Sequence, residues 1–190
     1  MKSLCIFSGS RMGGDPVYAE AARRLGELMV PGGWDLVYGG GNIGLMGVTA
    51  RAVRAGGGRV TGVIPEYIHS RVEKADTTEL IVTKTMHERK ARMYELADGF
   101  AALPGGIGTL EEAAEIMAWS GLGFHSKPVA LLNIAGFYDH LVDFLEKAVT
   151  EGFYKRSHRE NILVASTPEE LLELLSAYRH RSEDKWRKDA

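Results

Sequence analysis

Seven short apolar runs, at 4–7, 35–38, 59–64, 80–83, 100–103, 129–133 and 162–164, punctuate the sequence, most of them bounded by glycine. Runs this short between turn residues read as buried strands, and what lies between them decides the fold. After the first run, Asp15 is placed to cap a helix opening at Pro16, with Tyr18, Ala21, Ala22, Leu25, Leu28 and Met29 at helical spacing until Pro31-Gly32-Gly33 ends it. Further helices fit 45–55, 85–97, 109–120, 137–151 and 168–179, the last with a capping box of Thr167, Pro168 and Glu170. Strand followed by helix, repeated through a chain of 190 residues, calls for a mostly parallel sheet with crossover helices on both faces. The expectation is one doubly wound α/β domain over 1–178, followed by a charged tail, 179–190, around Trp186. Ligands of such sheets bind beyond the carboxyl ends of the strands, so the strand-to-helix loops carry the functional reading.

Composition narrows the class. A formal net charge of −2 argues against a nucleic-acid binder driven by bulk positive charge. The opening MKSLCIFSGS has too short an apolar run for a secretory core, and no stretch approaches the roughly 20 apolar residues of a membrane span. A cytoplasmic protein with neither nucleic-acid nor membrane partners is expected. Cys5 is the single cysteine, which excludes an internal disulfide and a multi-cysteine metal site, and its apolar setting reads as a buried strand position. Six histidines, His69, His87, His125, His140, His158 and His180, lack ligand spacing, so no metal is expected.

Three loops are glycine-rich. Ser8-Gly9-Ser10-Arg11-Met12-Gly13-Gly14 either contacts an anion through hydroxyls, amides and Arg11 or simply turns the chain. In the second loop Gly39, Gly41 and Gly44 match the G-x-G-x-x-G spacing of a dinucleotide fingerprint. The next strand, 59–64, carries no acidic residue, and Glu66 comes only after Pro65, so a nicotinamide dehydrogenase is poorly supported. Gly41 would still let the backbone approach a nucleotide closely.

The third loop, Leu103-Pro104-Gly105-Gly106-Ile107-Gly108-Thr109-Leu110-Glu111-Glu112, follows a strand and opens a helix. Amides of Gly105, Gly106 and Gly108, the Thr109 hydroxyl and the helix dipole would together hold a phosphate, without the G-K-[ST] ending of a Walker loop. Glu111 and Glu112 are expected in the first helical turn. There they either complement the dipole or, since Glu112 shares a face with Ile116 and Trp119, head a functional face. The preceding helix opens Met86-His87-Glu88-Arg89-Lys90, placing Arg89, Lys90 and Arg92 where a bound anion would offset their cost against the dipole, unless they are a solvated face. His87 reads as a surface residue, and the absence of H-E-x-x-H rules out a zinc protease of that type.

The strings YGGGNIGLMG, MHERKARM, PGGIGTLEE and WSGLGFHSKPVALLN resemble the cytokinin riboside 5′-monophosphate phosphoribohydrolases, the LONELY GUY family, many of whose members carried the label lysine decarboxylase. The similarity runs from about residue 4 to residue 164, and the P-G-G-x-G-T-x-x-E motif at 104–112 is its most specific part. It implies a Rossmann-like homodimer that cleaves the N-glycosidic bond of an adenine-type nucleoside 5′-monophosphate without a cofactor. Arg89 and Glu112 would be the catalytic pair, and Lys90, Gly105, Gly106, Gly108, Thr109 and Glu111 would contact the nucleotide. Ala118 stands where plant-like members have threonine, which leaves one side-chain contact and the preferred base open.

Cleaving a ribosyl C1′–N bond develops oxocarbenium character, so a carboxylate near C1′ stabilises the transition state more than the ground state. Glu112 is the candidate, as electrostatic partner or as base toward water. Arg89 would bind phosphate or ribose, or hold Glu112 ionised. Gly41 and Met86 complete the substrate-facing set, with Met12, Met46, Met86 and Trp119 available to line an apolar pocket for a bulky base. A pyridoxal-dependent decarboxylase would need a Schiff-base lysine, and Lys127 and Lys147 read as exposed. The competing class is a nucleotide or phosphate carrier that binds without cleaving. Such a binder has no use for a carboxylate beside a phosphate it repels.

Overall fold

The computed structural model describes residues 2–72 and 76–181. All seven expected strands are present: β1 (Lys2–Phe7), β2 (Trp34–Tyr38), β3 (Val60–Pro65), β4 (Glu79–Thr83), β5 (Gly99–Ala102), β6 (Val129–Leu132) and β7 (Ile162–Ala165). They form one sheet in the order β4-β3-β2-β1-β5-β6-β7, every neighbouring pair parallel. The fold is thus α/β and doubly wound, of the Rossmann-like type. Strand order reverses at β1, which pairs β2 on one side and β5 on the other. The loops after β1 and β5 therefore meet in the crevice where such folds bind ligands. Phe7 stands in register with Ala102, Leu103 N donates to Phe7 O at 2.9 Å, and Gly9 N donates to Pro104 O at 3.1 Å.

The crossovers are α1 (Pro16–Met29), α2 (Gly44–Ala55), α3 (Glu66–His69), α4 (Met86–Leu96), α5 (Ile107–Leu122), α6 (Asp139–Thr150), α7 (Arg156–Glu160) and α8 (Pro168–Ala177). Asp15 accepts from Val17 N at 2.9 Å, and Thr167 accepts from Glu170 N at 3.2 Å, as their spacing predicts. Thr85 caps α4 in the same way, and Glu88 reaches back to Lys84 N at 2.8 Å. The sequence reading missed the short α3 and α7. It also started α6 at 137, where the chain is still leaving a 3-10 turn, Ile134–Gly136, with Ala135 at φ 51°.

One correction bears on the site. Helix α5 begins at Ile107, with Gly106 as its cap and Leu110 N bonded to Gly106 O at 3.1 Å. Glu111 and Glu112 are its fifth and sixth residues and lie in the second turn. Dipole complementation fades beyond the first turn, so it does not account for them.

Strand alternation divides the core into two layers. Leu4 and Ile6 face α1, α2 and α8 through Leu25, Met29, Leu45, Val53, Leu171 and Leu175, whereas Cys5 and Phe7 face α4 and α5 through Met93, Ala113, Ile116 and Met117. Cys5 is buried in the second layer, as expected. Beyond α8 the chain stays attached: Arg181 N donates to Asn161 Oδ1 at 3.0 Å, and Arg181 pairs with Glu160. Trp186 lies outside the described residues. Among the described residues no helix is long and apolar enough to cross a membrane.

Candidate active site

Helix α4 delivers Arg89 from its first turn and α5 delivers Glu112 from its second, and the two side chains meet over the carboxyl ends of the strands. Arg89 Nη1 donates to Glu112 Oε1 at 2.8 Å, while Arg89 Nε donates to the carbonyl of Val63 on β3 at 3.1 Å. Both partners are largely buried, with side chains 13% and 12% exposed. Burial pushes the Glu112 carboxyl above the usual carboxylate range, and the charge and hydrogen bond of Arg89 work against that rise. Gly39, the first glycine of the dinucleotide-like spacing, has a different duty here. A Cβ at that position would collide with Arg89 Nη2, so the missing side chain is the space the guanidinium occupies.

A chamber of about 520 Å³ surrounds the pair, lined among others by Ser8, Met86, Gly106, Gly108, Thr109 and Glu111. It opens toward the amino end of α5, whose free backbone donors and positive dipole end favour an anion. Thr109 is 5% exposed, and its hydroxyl lies where a Cβ on Gly105 would stand, so Gly105 is required for the loop to fold over that side chain. Gly105 itself faces a neighbouring cavity of about 290 Å³ that includes Met12. Gly41 and Met46 line an adjoining apolar cavity of about 400 Å³, which shares Ser10, Ile68 and Arg89 with the main chamber. Lys90 points elsewhere: its ammonium holds Glu111 at 2.5 Å and Glu115 at 3.0 Å, and these carboxylates raise its pKa.

The structure thus brings together Arg89, Glu112, Glu111, Thr109, Gly106, Gly108 and Met86, with Gly41 next door and Gly105 and Lys90 just behind. Trp119 is not part of it. Its ring stands edge-on to Tyr94, with centroids 5.2 Å apart, in the core under α5. Ala118 is exposed and does not line the chamber of its own chain. Sequence reasoning assigned Gly39 to a dinucleotide-like spacing rather than to Arg89, missed the Val63 carbonyl, which no motif advertises, and left Ser8 undecided between a turn and a contact.

Comparison with known proteins gives the family. The family model described as "Possible lysine decarboxylase" matches residues 46–175. The chain is 48% identical over 178 residues to the Probable cytokinin riboside 5′-monophosphate phosphoribohydrolase LOGL2 of Oryza sativa subsp. japonica, covering 93% of this chain and 73% of the relative. It is 46% identical over 184 residues to the Cytokinin riboside 5′-monophosphate phosphoribohydrolase LOG2 of Arabidopsis thaliana, covering 96% of this chain and 86% of the relative. The chain belongs to the cytokinin riboside 5′-monophosphate phosphoribohydrolase family. Solved structures with the same fold include the molybdenum cofactor binding protein of Rippkaea orientalis, at TM-score 0.69, 22% identity and coverage of 93% of this chain and 97% of that one. The molybdenum cofactor carrier protein of Chlamydomonas reinhardtii is similar at TM-score 0.69 and 20% identity, covering 92% and 96%. At these identities the likeness concerns fold alone.

The lysines of this phosphoribohydrolase family member fit the decarboxylase label poorly. Lys127 is partly buried rather than exposed, because its ammonium donates to Tyr94 O at 2.8 Å and lies over the Tyr94 ring at 4.3 Å. It precedes β6 and so sits at the amino ends of the strands, opposite the chamber. Lys147 is exposed and pairs with Glu151.

Proposed function

We propose that this protein hydrolyses the N-glycosidic bond of adenine-type nucleoside 5′-monophosphates, cytokinin riboside 5′-monophosphates among them, to free base and ribose 5-phosphate. The observation that carries the reading is the buried Arg89–Glu112 pair in one chamber with the amino end of α5. Phosphate on the donors of Gly106 and Gly108, with Thr109 beside them, places the ribose over Glu112. The carboxylate then stabilises positive charge as it grows on C1′ and O4′ and orients the attacking water. Remote binding of the phosphate supplies orientation, so a 5′-monophosphate is cleaved far better than its nucleoside. Arg89 keeps Glu112 ionised against the burial that opposes it. The scheme needs no metal and no cofactor. The apolar cavity at Gly41 and Met46 suits a hydrophobic substituent on the base.

A carrier that binds without cleaving is disfavoured by the same pair, since a buried carboxylate beside an anion site weakens binding and serves chemistry only. We also propose that the chain works in the cytoplasm as a homodimer. Ile107, Leu122 and Phe124, exposed at the two ends of α5, and Met86 at the start of α4 support pairing with a second copy. Chromatography of the reaction with AMP and with a prenylated-adenine riboside 5′-monophosphate tests the activity. Release of free base supports it, and unchanged nucleotide in both refutes it. Sedimentation checks the dimer.

A further inference from the structure

The loop after β1 contributes a side chain that the scheme above does not use. Ser8 is 9% exposed, and its Oγ has no hydrogen-bond partner among the described residues. Its backbone is fixed on both sides, by Leu103 N on Phe7 O at 2.9 Å and by Gly9 N on Pro104 O at 3.1 Å, which holds the residue in place beside the chamber. It lines the chamber that holds Arg89, Glu112 and Thr109, at the point where strand order reverses. A buried hydroxyl without a partner is a standing cost, and a turn about χ1 toward the chamber that Ser8 lines gives it a partner once a ligand is bound.

We infer that the Ser8 hydroxyl donates a hydrogen bond to the ribose 5-phosphate portion of the bound nucleotide, making Ser8 a substrate-binding residue. The inference rests on the function proposed above. It places the contact on the part of the ligand common to all nucleoside 5′-monophosphates, because Ser8 sits with the amino end of α5 and not in the apolar cavity at Gly41. Ser8 therefore governs affinity for the sugar phosphate and is indifferent to the base.

Ser8→Ala separates this role from a structural one, because the two predict opposite signs. Removing the hydroxyl relieves an unpaired polar group in the free protein, so its melting temperature stays level or rises. Calorimetry with ribose 5-phosphate shows affinity falling roughly tenfold, the loss typical of a hydrogen bond to a charged group. KM for AMP rises by a similar factor with kcat nearly retained, and affinity for adenine alone is unchanged. Ribose 5-phosphate binding equal to that of the wild type overturns the inference. So does a lowered melting temperature with parallel losses for adenine and sugar phosphate. Wild-type protein that neither binds ribose 5-phosphate nor releases adenine from AMP refutes the proposed function itself, whereas a wild type that does both beside an indifferent Ser8→Ala refutes only the role of Ser8.

Discussion

Helix α1 buries Ala21, Ala22, Leu25, Gly26 and Met29 against the sheet and α2, whereas α4, on the opposite face, buries Met93 alone and α6 buries no residue fully. The first face is held by apolar contact. On the second, α4 and α5 are joined at their amino ends by ion pairs, Arg89 with Glu112 and Lys90 with Glu111 and Glu115. The body of α5 is packed, with Ala113, Ile116 and Met117 buried, so the charge is confined to the amino ends of α4 and α5. A desolvated pair such as Arg89–Glu112 is a poor source of net stability and marks where the molecule has been shaped for chemistry. Substitutions on the two faces should therefore fail in different assays.

The largest effect belongs to Glu112→Gln. Loss of the carboxylate removes both charge stabilisation and base function, and kcat should fall by roughly 10³-fold or more, the range of general-base catalysis with an electrostatic term added. Nucleotide affinity, carried by the amino end of α5 and freed of the carboxylate's repulsion, should stay level or tighten in calorimetry. Retained hydrolysis would remove Glu112 from its role.

Next come two substitutions of a single residue each, one per face. Gly39→Ala drives a Cβ into the end of the Arg89 side chain, which can swing away, so the melting temperature should hardly move while kcat falls on the order of 10²-fold from misplacement of the pair. Leu25→Ala, at a fully buried position of α1, should cost about 2–5 kcal/mol in denaturant unfolding and leave kcat per folded molecule unchanged. Should both variants lose stability and activity together, the division between the faces does not exist.

That division was only half legible in the sequence. Inner strands buried on both faces read as continuous apolar runs, and the edge strand β4 still carries Leu80, Ile81 and Val82 in a row, so all seven were found near their true bounds. The start of α5 was misplaced because Gly106 caps it without a side-chain bond, and Pro104-Gly105-Gly106 reads as loop. Arg89 and Glu112 were marked by their motifs, but their contact spans 23 residues and has no period to reveal it. Gly39 looked like part of a dinucleotide fingerprint because a glycine that admits a phosphate and one that admits a guanidinium are the same letter. Lys127 looked exposed because nothing local announces the ring beneath it.

Acidity offers a smaller effect. With the folded-state pKa of Glu112 raised, activity should fall as pH drops through a value above the ordinary carboxylate range, read as the acidic limb of kcat/KM. The sign for stability is the reverse: this group favours folding below its unfolded pKa, and the contribution is lost as pH rises through the raised value. An acidic limb at the pKa of a free carboxylate would show that Glu112 is not the titrating group.

Lys90→Met should have the smallest effect and is the most informative about α4. The ammonium faces Glu111 and Glu115 rather than the chamber, so its removal leaves carboxylates on α5 without their counter-charge. Glu111 already raises the Glu112 pKa and Lys90 lowers it. Without the lysine, the acidic limb should move to higher pH, with kcat/KM at neutral pH down a few-fold, about the cost of one weakly screened charge pair. A direct contact with the nucleotide phosphate would behave otherwise, raising KM several-fold and leaving the limb in place. The direction of the limb, more than the size of the loss, decides whether Lys90 serves the substrate or holds the two helices that carry Arg89 and Glu112.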